Sequence, residues 1–406
     1  MITFEQALKI ILDAAETKTE LPKEQCEYVF LENACGRILQ QPIIADRDMP
    51  PFHKSAMDGY ACKYADLEKG NPMRLLEIIA AGTPPKHKIT ESCCSKVMTG
   101  AMIPEGTECV LMVEDAIQEN DSVRTIPHYK LARNKTNICL QGEDLRAGAR
   151  VLAPGTILMP QHIATLAAQG YTDIRVAQKL TVAVISTGDE LVEPAVVPSS
   201  VQIRNSNGWQ LMAQITRAGA IPSYYGIIRD WPEILRSALI QALSENTVIV
   251  LSGGVSMGDF DMVPDVLKSM GVKIFFDRVA VQPGKPTVFG ILNHQGKSRY
   301  LFGLPGNPVS SFIQFELMVR PLLLLLMGAS HQTIALRLPM AHAYRRKGAE
   351  RMAHVPMEID ESGRCRLLNY NGSGHITALN SAQGLARIPL GVLELQENAA
   401  VEVILL

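Results

Sequence analysis

Apolar residues recur at helical spacing from the first turn of the chain: Phe4, Ala7, Leu8, Ile11, Leu12 and Ala15 fall on one face. Thr3 stands just before them and Gln6 three residues later, the pattern of a capping box. The chain is therefore expected to open with an amphipathic helix, followed by a second helix near 23–36. A Pro-rich loop, DRDMPPFHKSAMDGYA, comes next. Between 45 and 138, short apolar runs (LLEIIA, CVLMVED) alternate with turn signals (AGTPP, IPEG), which predicts a small β-rich domain. Helical character returns around PQHIATLAAQG, so the β-rich domain (45–138) reads as an insertion into a helical linker domain built from 1–44 and 139–177.

The pattern changes at 178. TVAVIS and VIVLS are apolar runs without alternation, as expected of strands buried on both faces. Between them lie a capped helix, NSNGWQLMAQITRAG, a strand near SYYGII, and a helix in PEILRSALIQAL. A helix near 262–270, the runs IFFDRVAV and YLFGL, and a long helix starting at Asn307-Pro308 complete the segment, with Asn as N-cap and Pro at the first turn. This alternation predicts an α/β domain over 178–327 with a parallel sheet. Residues 328–406 hold short alternating segments and are expected to form a small β-barrel. The fold class is thus multidomain α/β plus β.

Composition narrows the functional classes. The 406 residues are 47% hydrophobic and 20% charged, with a formal net charge of −2, so nothing in the overall charge calls for nucleic acid or an anionic membrane. Any anion site must be built locally. The cysteines at 26, 35, 62, 93, 94, 109, 139 and 365 include no Cys-x-x-Cys, which argues against a zinc site and for thiols in a reducing cytoplasm. The N-terminus lacks the features of a secretory signal. The most apolar stretch, around PLLLLLMG after Arg320 and Pro321, is read as too short to span a bilayer. A soluble, cytoplasmic protein is expected, with neither nucleic acid nor membrane as partner.

Three loops at the carboxyl ends of predicted strands carry the chemistry, because open α/β sheets bind ligands there. The first holds Ser186, Thr187, Gly188 and Glu190. The second holds Ser252, Gly253, Gly254, Ser256 and Gly258, and the third Pro305, Gly306, Asn307 and Pro308. The second is neither a Walker A sequence nor a dinucleotide fingerprint. Three such loops on one sheet edge point to a phosphate or nucleotide crevice whose backbone N–H groups face an anion. Glu190, Asp230 and Asp261 join these loops, and carboxylates beside a phosphate call for Mg²⁺ between them. Lys285, held between prolines in VQPGKP, is placed to serve as an oxyanion partner.

The motifs MPPF, SAMDGYA, MTGA, GED, STGDEL, SGGVSMGDFD, PGKP and LPGNPVSS occur in one order along nearly the whole chain. In that order they resemble the MoeA family of molybdopterin molybdenumtransferases and the related E domain of gephyrin. The resemblance implies a homodimer with four domains: linker, β-rich, molybdopterin-binding α/β, and C-terminal β-barrel. It implies an active cleft between the α/β domain of one subunit and the β-rich domain of the other. The implied reaction takes adenylylated molybdopterin and molybdate, releases AMP with Mg²⁺, and leaves molybdenum on the dithiolene sulfurs. By similarity, Asp58, Thr99, Asp144, Glu190, Asp230, Asp261 and Lys285 fall on catalytic positions. Pro305 and Pro308 fall on functional positions of the same domain, and Ser373 lies near a C-terminal substrate motif. Asp261, Asp230 and Glu190 form the expected metal set. Transient contact with a molybdopterin adenylyltransferase and with molybdoenzymes is also expected. Two positions depart from the pattern: Cys139 stands where the family has arginine, and Gln282 where it often has lysine. The alternatives are a non-catalytic scaffold of the gephyrin type and a molybdopterin adenylyltransferase.

Overall fold

A computed structural model describes the chain except residues 16–19, 133–134, 256–261, 331–334, 370–371 and 373. The chain divides into two compact units, one of Met1–Gln41, Pro154–Pro160 and Asp173–Leu406, the other of Pro42–Ala153 and Gln161–Thr172. The smaller unit is built on a six-stranded sheet in the order Cys109–Met112, Gly59–Cys62, Cys93–Val97, Met73–Ile79, Ser122–Thr125, Ala116–Glu119. Tyr60, Met73, Leu111 and Val123 fill its core beside Cys62, Cys94 and Cys109. These thiols behave as small apolar side chains, and burial pushes Cys94 up to about 12.

In the larger unit the capping box forms as the sequence predicts. Thr3 Oγ1 accepts the Gln6 N–H at 3.2 Å, and the Gln6 side chain accepts the Thr3 N–H at 2.9 Å. The helix Phe4–Ala14 then buries Phe4, Ala7 and Ile11. The expected second helix near 23–36 is not present. Two single 3₁₀ turns, Lys23–Gln25 and Leu31–Asn33, flank a strand, Cys26–Phe30, that pairs antiparallel with Asp173–Ala177. Tyr28, Val29 and Phe30 are β-formers, and a partner strand more than 140 positions away satisfies their backbone.

The main sheet runs in the order Ile221–Ile228, Thr181–Thr187, Val248–Ser252, Lys297–Leu304, Val288–His294, Lys273–Phe276. It is mixed rather than parallel. The first four strands are parallel, whereas Val288–His294 folds back on Lys297–Leu304 and pairs antiparallel with it and with Lys273–Phe276. The hairpin exists because Gln295 and Gly296 both take positive φ, at 52° and 76°, which suits the twist of a two-residue turn. Phe289 and Phe302 face each other across it at 4.9 Å.

The register of the parallel strands positions the functional loops. Thr187 pairs with Ile228, Ser186 with Ser252, and Ser252 with Leu304, so four carboxyl ends finish level. The expected long helix is continuous from Pro308 to Leu326, but it widens to a π-helical segment over Phe315–Val319. That widening lies against Pro321, which lacks an N–H and crowds the preceding turn. The helix has 19 residues, long and apolar enough to cross a membrane, so the shortness expected from PLLLLLMG is corrected; 78% of its apolar 18-residue stretch is buried inside the fold, which makes it a core helix. Each of Leu322, Leu323 and Leu325, buried there, contributes roughly 1.5–3 kcal/mol. The C-terminal strands form a curled sheet in the order Val281–Gln282, Met352–Ile359, Gly384–Ile388, Ala400–Leu405, Ala335–Pro339. Cys365–Leu367 adds to Met352–Ile359, and one bridge, Met340 to Cys365, links the ends.

Candidate functional site

A cavity of about 630 Å³ opens along the level carboxyl ends of the main sheet. Its walls are the loops after Thr187, Ile228, Ser252 and Leu304. Of the residues expected from the sequence, Thr187, Gly188, Glu190, Asp230, Ser252, Gly253, Gly254, Pro305, Gly306, Asn307 and Pro308 line it together. The glycines keep the backbone open. Gly253 has φ +98°, and a Cβ there would meet the Thr187 carbonyl oxygen at 2.4 Å; a Cβ on Gly254, at φ +63°, would meet Thr187 Oγ1 at 3.0 Å.

Asn207, in the capped helix that NSNGWQLMAQITRAG predicts, ties two of the loops to one another. Its amide nitrogen donates to Ser252 Oγ and to the Gly306 carbonyl, each at 2.7 Å. Asn205 caps the same helix, Ser206–Arg217, by accepting the Gly208 N–H at 3.0 Å. Its amide also donates to Ser186 Oγ at 2.9 Å and to Tyr224 Oη at 2.8 Å. Tyr224 in turn donates to Glu193 at 2.7 Å, and burial, then Glu193, hold its phenol well above the usual range. Ser186 is thus a buried support for Asn205. The only sequence signal for these roles is two asparagines around Ser206, a spacing too common to read.

Two buried oxygens on the cavity wall, Thr187 Oγ1 and Asn207 Oδ1, have no hydrogen-bond partner among the described residues. A buried polar atom left so costs about 1–3 kcal/mol, which a ligand with matching donors would offset. Glu190 and Asp230 supply two carboxylates to the same cavity; no group of three His, Cys, Asp or Glu is assembled among the described residues. Two carboxylates beside an anion cradle match the donor set of Mg²⁺, which takes one or two of them plus phosphate oxygens. Lys285 is exposed; its carbonyl holds the Val279 and Thr287 N–H groups, and its neighbour Pro286 reaches the cavity. Ser256, Gly258, Asp261 and Ser373 lie outside the described residues.

The smaller unit holds a second cluster. Thr99 donates its N–H and its hydroxyl to one oxygen of Asp58, at 2.6 and 2.8 Å. These bonds hold the Asp58 carboxyl below the usual range. The strand pair Lys54–Ser55 and Ile138–Cys139 sets Lys54 directly opposite Cys139. Burial and the adjoining Glu143 raise the thiol's pKa, and Asp144 adds to the effect. Asp144 itself is exposed, with its N–H on the Met49 carbonyl. No spacing in the sequence points to Lys54, because its partner Cys139 lies 85 positions away.

The fold and this cavity define a multidomain α/β protein with a cavity at the carboxyl edge of its main sheet. Comparison with known proteins sharpens that class. The family model described as the MoeA N-terminal region (domain I and II) matches residues 2–170, and the probable molybdopterin binding domain matches 183–324. A molybdopterin molybdenumtransferase of Staphylococcus epidermidis is 34% identical over 93% of this chain and 90% of its own; that of Haemophilus influenzae is 35% identical over 81% and 78%. The crystal structure of a molybdopterin biosynthesis moeA protein from Pyrococcus horikoshii OT3 superposes with a TM-score of 0.81 at 28% identity, covering all of both chains. The chain belongs to the MoeA family.

Proposed function

We propose that this chain inserts molybdate into adenylylated molybdopterin with Mg²⁺-dependent release of AMP. Membership of the family makes it a transferase of molybdenum cofactor biosynthesis, a molybdopterin molybdenumtransferase. The observation that carries the finer reading is the cavity itself. It joins two unpartnered buried oxygens, glycine-opened backbone and two carboxylates on one edge.

In this reading the loops at Gly253–Gly254 and Pro305–Pro308 receive the anionic part of the substrate. Thr187 and Asn207 accept its hydrogen-bond donors and fix its orientation. Glu190, Asp230 and Asp261 would hold Mg²⁺, which when bound supplies positive charge against the phosphoanhydride. Lys285 stabilises the oxyanion as AMP leaves. Asp58, Thr99 and Asp144 orient the reacting groups, and Ser373 contributes to substrate binding. The protein acts as a homodimer in the cytoplasm. Its domains are 1–44 with 139–177, 45–138, 178–327 and 328–406, the last a β-barrel. Glu190→Gln and Asp261→Asn should each lower Mg²⁺-dependent AMP release by about a hundredfold or more with thermal stability unchanged. Near-normal release from both variants would overturn the assignment.

A further inference from the structure

The larger unit holds a second recess, of about 330 Å³, whose lining includes Arg37, Lys179, Arg217 and Arg320 with an apolar wall containing Ile157 and Leu324. Among the described residues, no Asp or Glu lines it. Arg37 pairs with Glu27 and donates to the Ala177 carbonyl at 2.7 Å. Arg217 and Arg320 share a single buried carboxylate, Glu316, at 2.6 and 3.6 Å, and that carboxylate also accepts the Gln214 amide at 2.6 Å. Four positive charges therefore stand against the carboxylates of Glu27 and Glu316, a local excess of two in a chain whose net charge is −2. Arg320 Nε is buried and has no hydrogen-bond partner among the described residues.

This recess is separate from the functional cavity. The helix Ser206–Arg217 starts beside that cavity and ends here at Arg217; its 12 residues span roughly 18 Å. The long helix behaves alike, with Pro308 at the functional cavity and Arg320 and Leu324 at this recess.

We propose that the recess is a binding site for a small organic anion, a tetrahedral or planar oxyanion carried on an apolar body. Guanidinium groups match such oxyanions with paired donors, and Arg37, Arg217 and Arg320 all line the recess. The apolar wall takes the body of the ligand, and the volume lies in the range of small-molecule sites.

Calorimetric titration of the full-length protein at low salt, with phenyl phosphate and separately with inorganic phosphate, tests this. Phenyl phosphate should fill one site whose affinity falls by about tenfold or more in Lys179→Glu and in Arg320→Met. Lys179 is exposed, so Lys179→Glu leaves the core intact. Asn307→Asp, which sets a negative charge in the functional cavity instead at an exposed position, should keep this affinity within about twofold. Inorganic phosphate should bind more weakly than phenyl phosphate. Absence of saturable binding would overturn the proposal. So would binding that survives Lys179→Glu but is lost in Asn307→Asp, or inorganic phosphate binding as tightly. None of these outcomes depends on molybdopterin chemistry.

Discussion

Thr99 gives both its backbone N–H and its hydroxyl to the same carboxylate oxygen of Asp58, at 2.6 and 2.8 Å. Both bonds favour the ionised carboxylate, the backbone bond more than the hydroxyl, so Asp58 titrates below an ordinary aspartate. Any stability from this pair is present above the ordinary aspartate range and is lost as pH falls through the lowered folded value. Thr99→Val removes the hydroxyl and keeps the N–H. The Asp58 carboxyl should then titrate at higher pH, still short of an ordinary aspartate, as read by carbon NMR of the labelled carboxyl. An unmoved titration would show that the hydroxyl bond does not act on Asp58 in solution.

His354 offers a pH test of the fold. It is fully buried, lies 5.1 Å from the Phe4 ring, and neither ring nitrogen has a hydrogen-bond partner among the described residues. Burial first, then the charge of Arg387, pushes its pKa down to about 3. Arg387 is itself paired with Glu5 and Glu402. The unfolded histidine titrates near 6.5, so below that value the unfolded chain binds a proton that the folded chain refuses. Folding stability should fall by about 2 kcal/mol between pH 7 and pH 5 through this residue alone. Urea unfolding of the wild type and of His354→Leu at both pH values measures the difference. Equal pH dependence in the two proteins would contradict it.

At Cys139, where the resemblance implies an arginine, the structure sets a lysine opposite the thiol. Lys54 faces Cys139 across the strand pair, and the thiol, raised by burial and Glu143, stays neutral. Lys54 therefore supplies a cation at this corner. Lys54→Gln should weaken molybdate binding, whereas Cys139→Arg should strengthen it by up to about tenfold at low salt. Titration of molybdate into both variants checks the pair. Unchanged affinity in both would mean that this corner does not face the anion.

The readable parts of this chain were those set by local chemistry. Thr3 and Gln6 form their capping box, and TVAVIS and VIVLS are buried strands, because the pattern of neighbouring residues is enough to announce both. The glycine loops were legible as loops, and strand register then gathers eleven of the expected residues around one cavity. What stayed hidden depends on distant partners. Cys26–Phe30 becomes a strand only through Asp173–Ala177, and Lys54 meets Cys139 only through a two-residue ladder. Asn207 matters because two loops, at Ser252 and Gly306, meet on its amide, which no spacing in NSNG reveals.

AMP release from adenylylated molybdopterin tests the proposed chemistry most directly. The pure protein is mixed with that substrate, with and without molybdate and Mg²⁺, and AMP and protein-bound molybdenum are quantified. The transferase reading predicts AMP formed only when molybdate and Mg²⁺ are both present, with one molybdenum gained for each AMP released. A protein that binds the substrate yet releases no AMP under any of these conditions would contradict it and leave a scaffold.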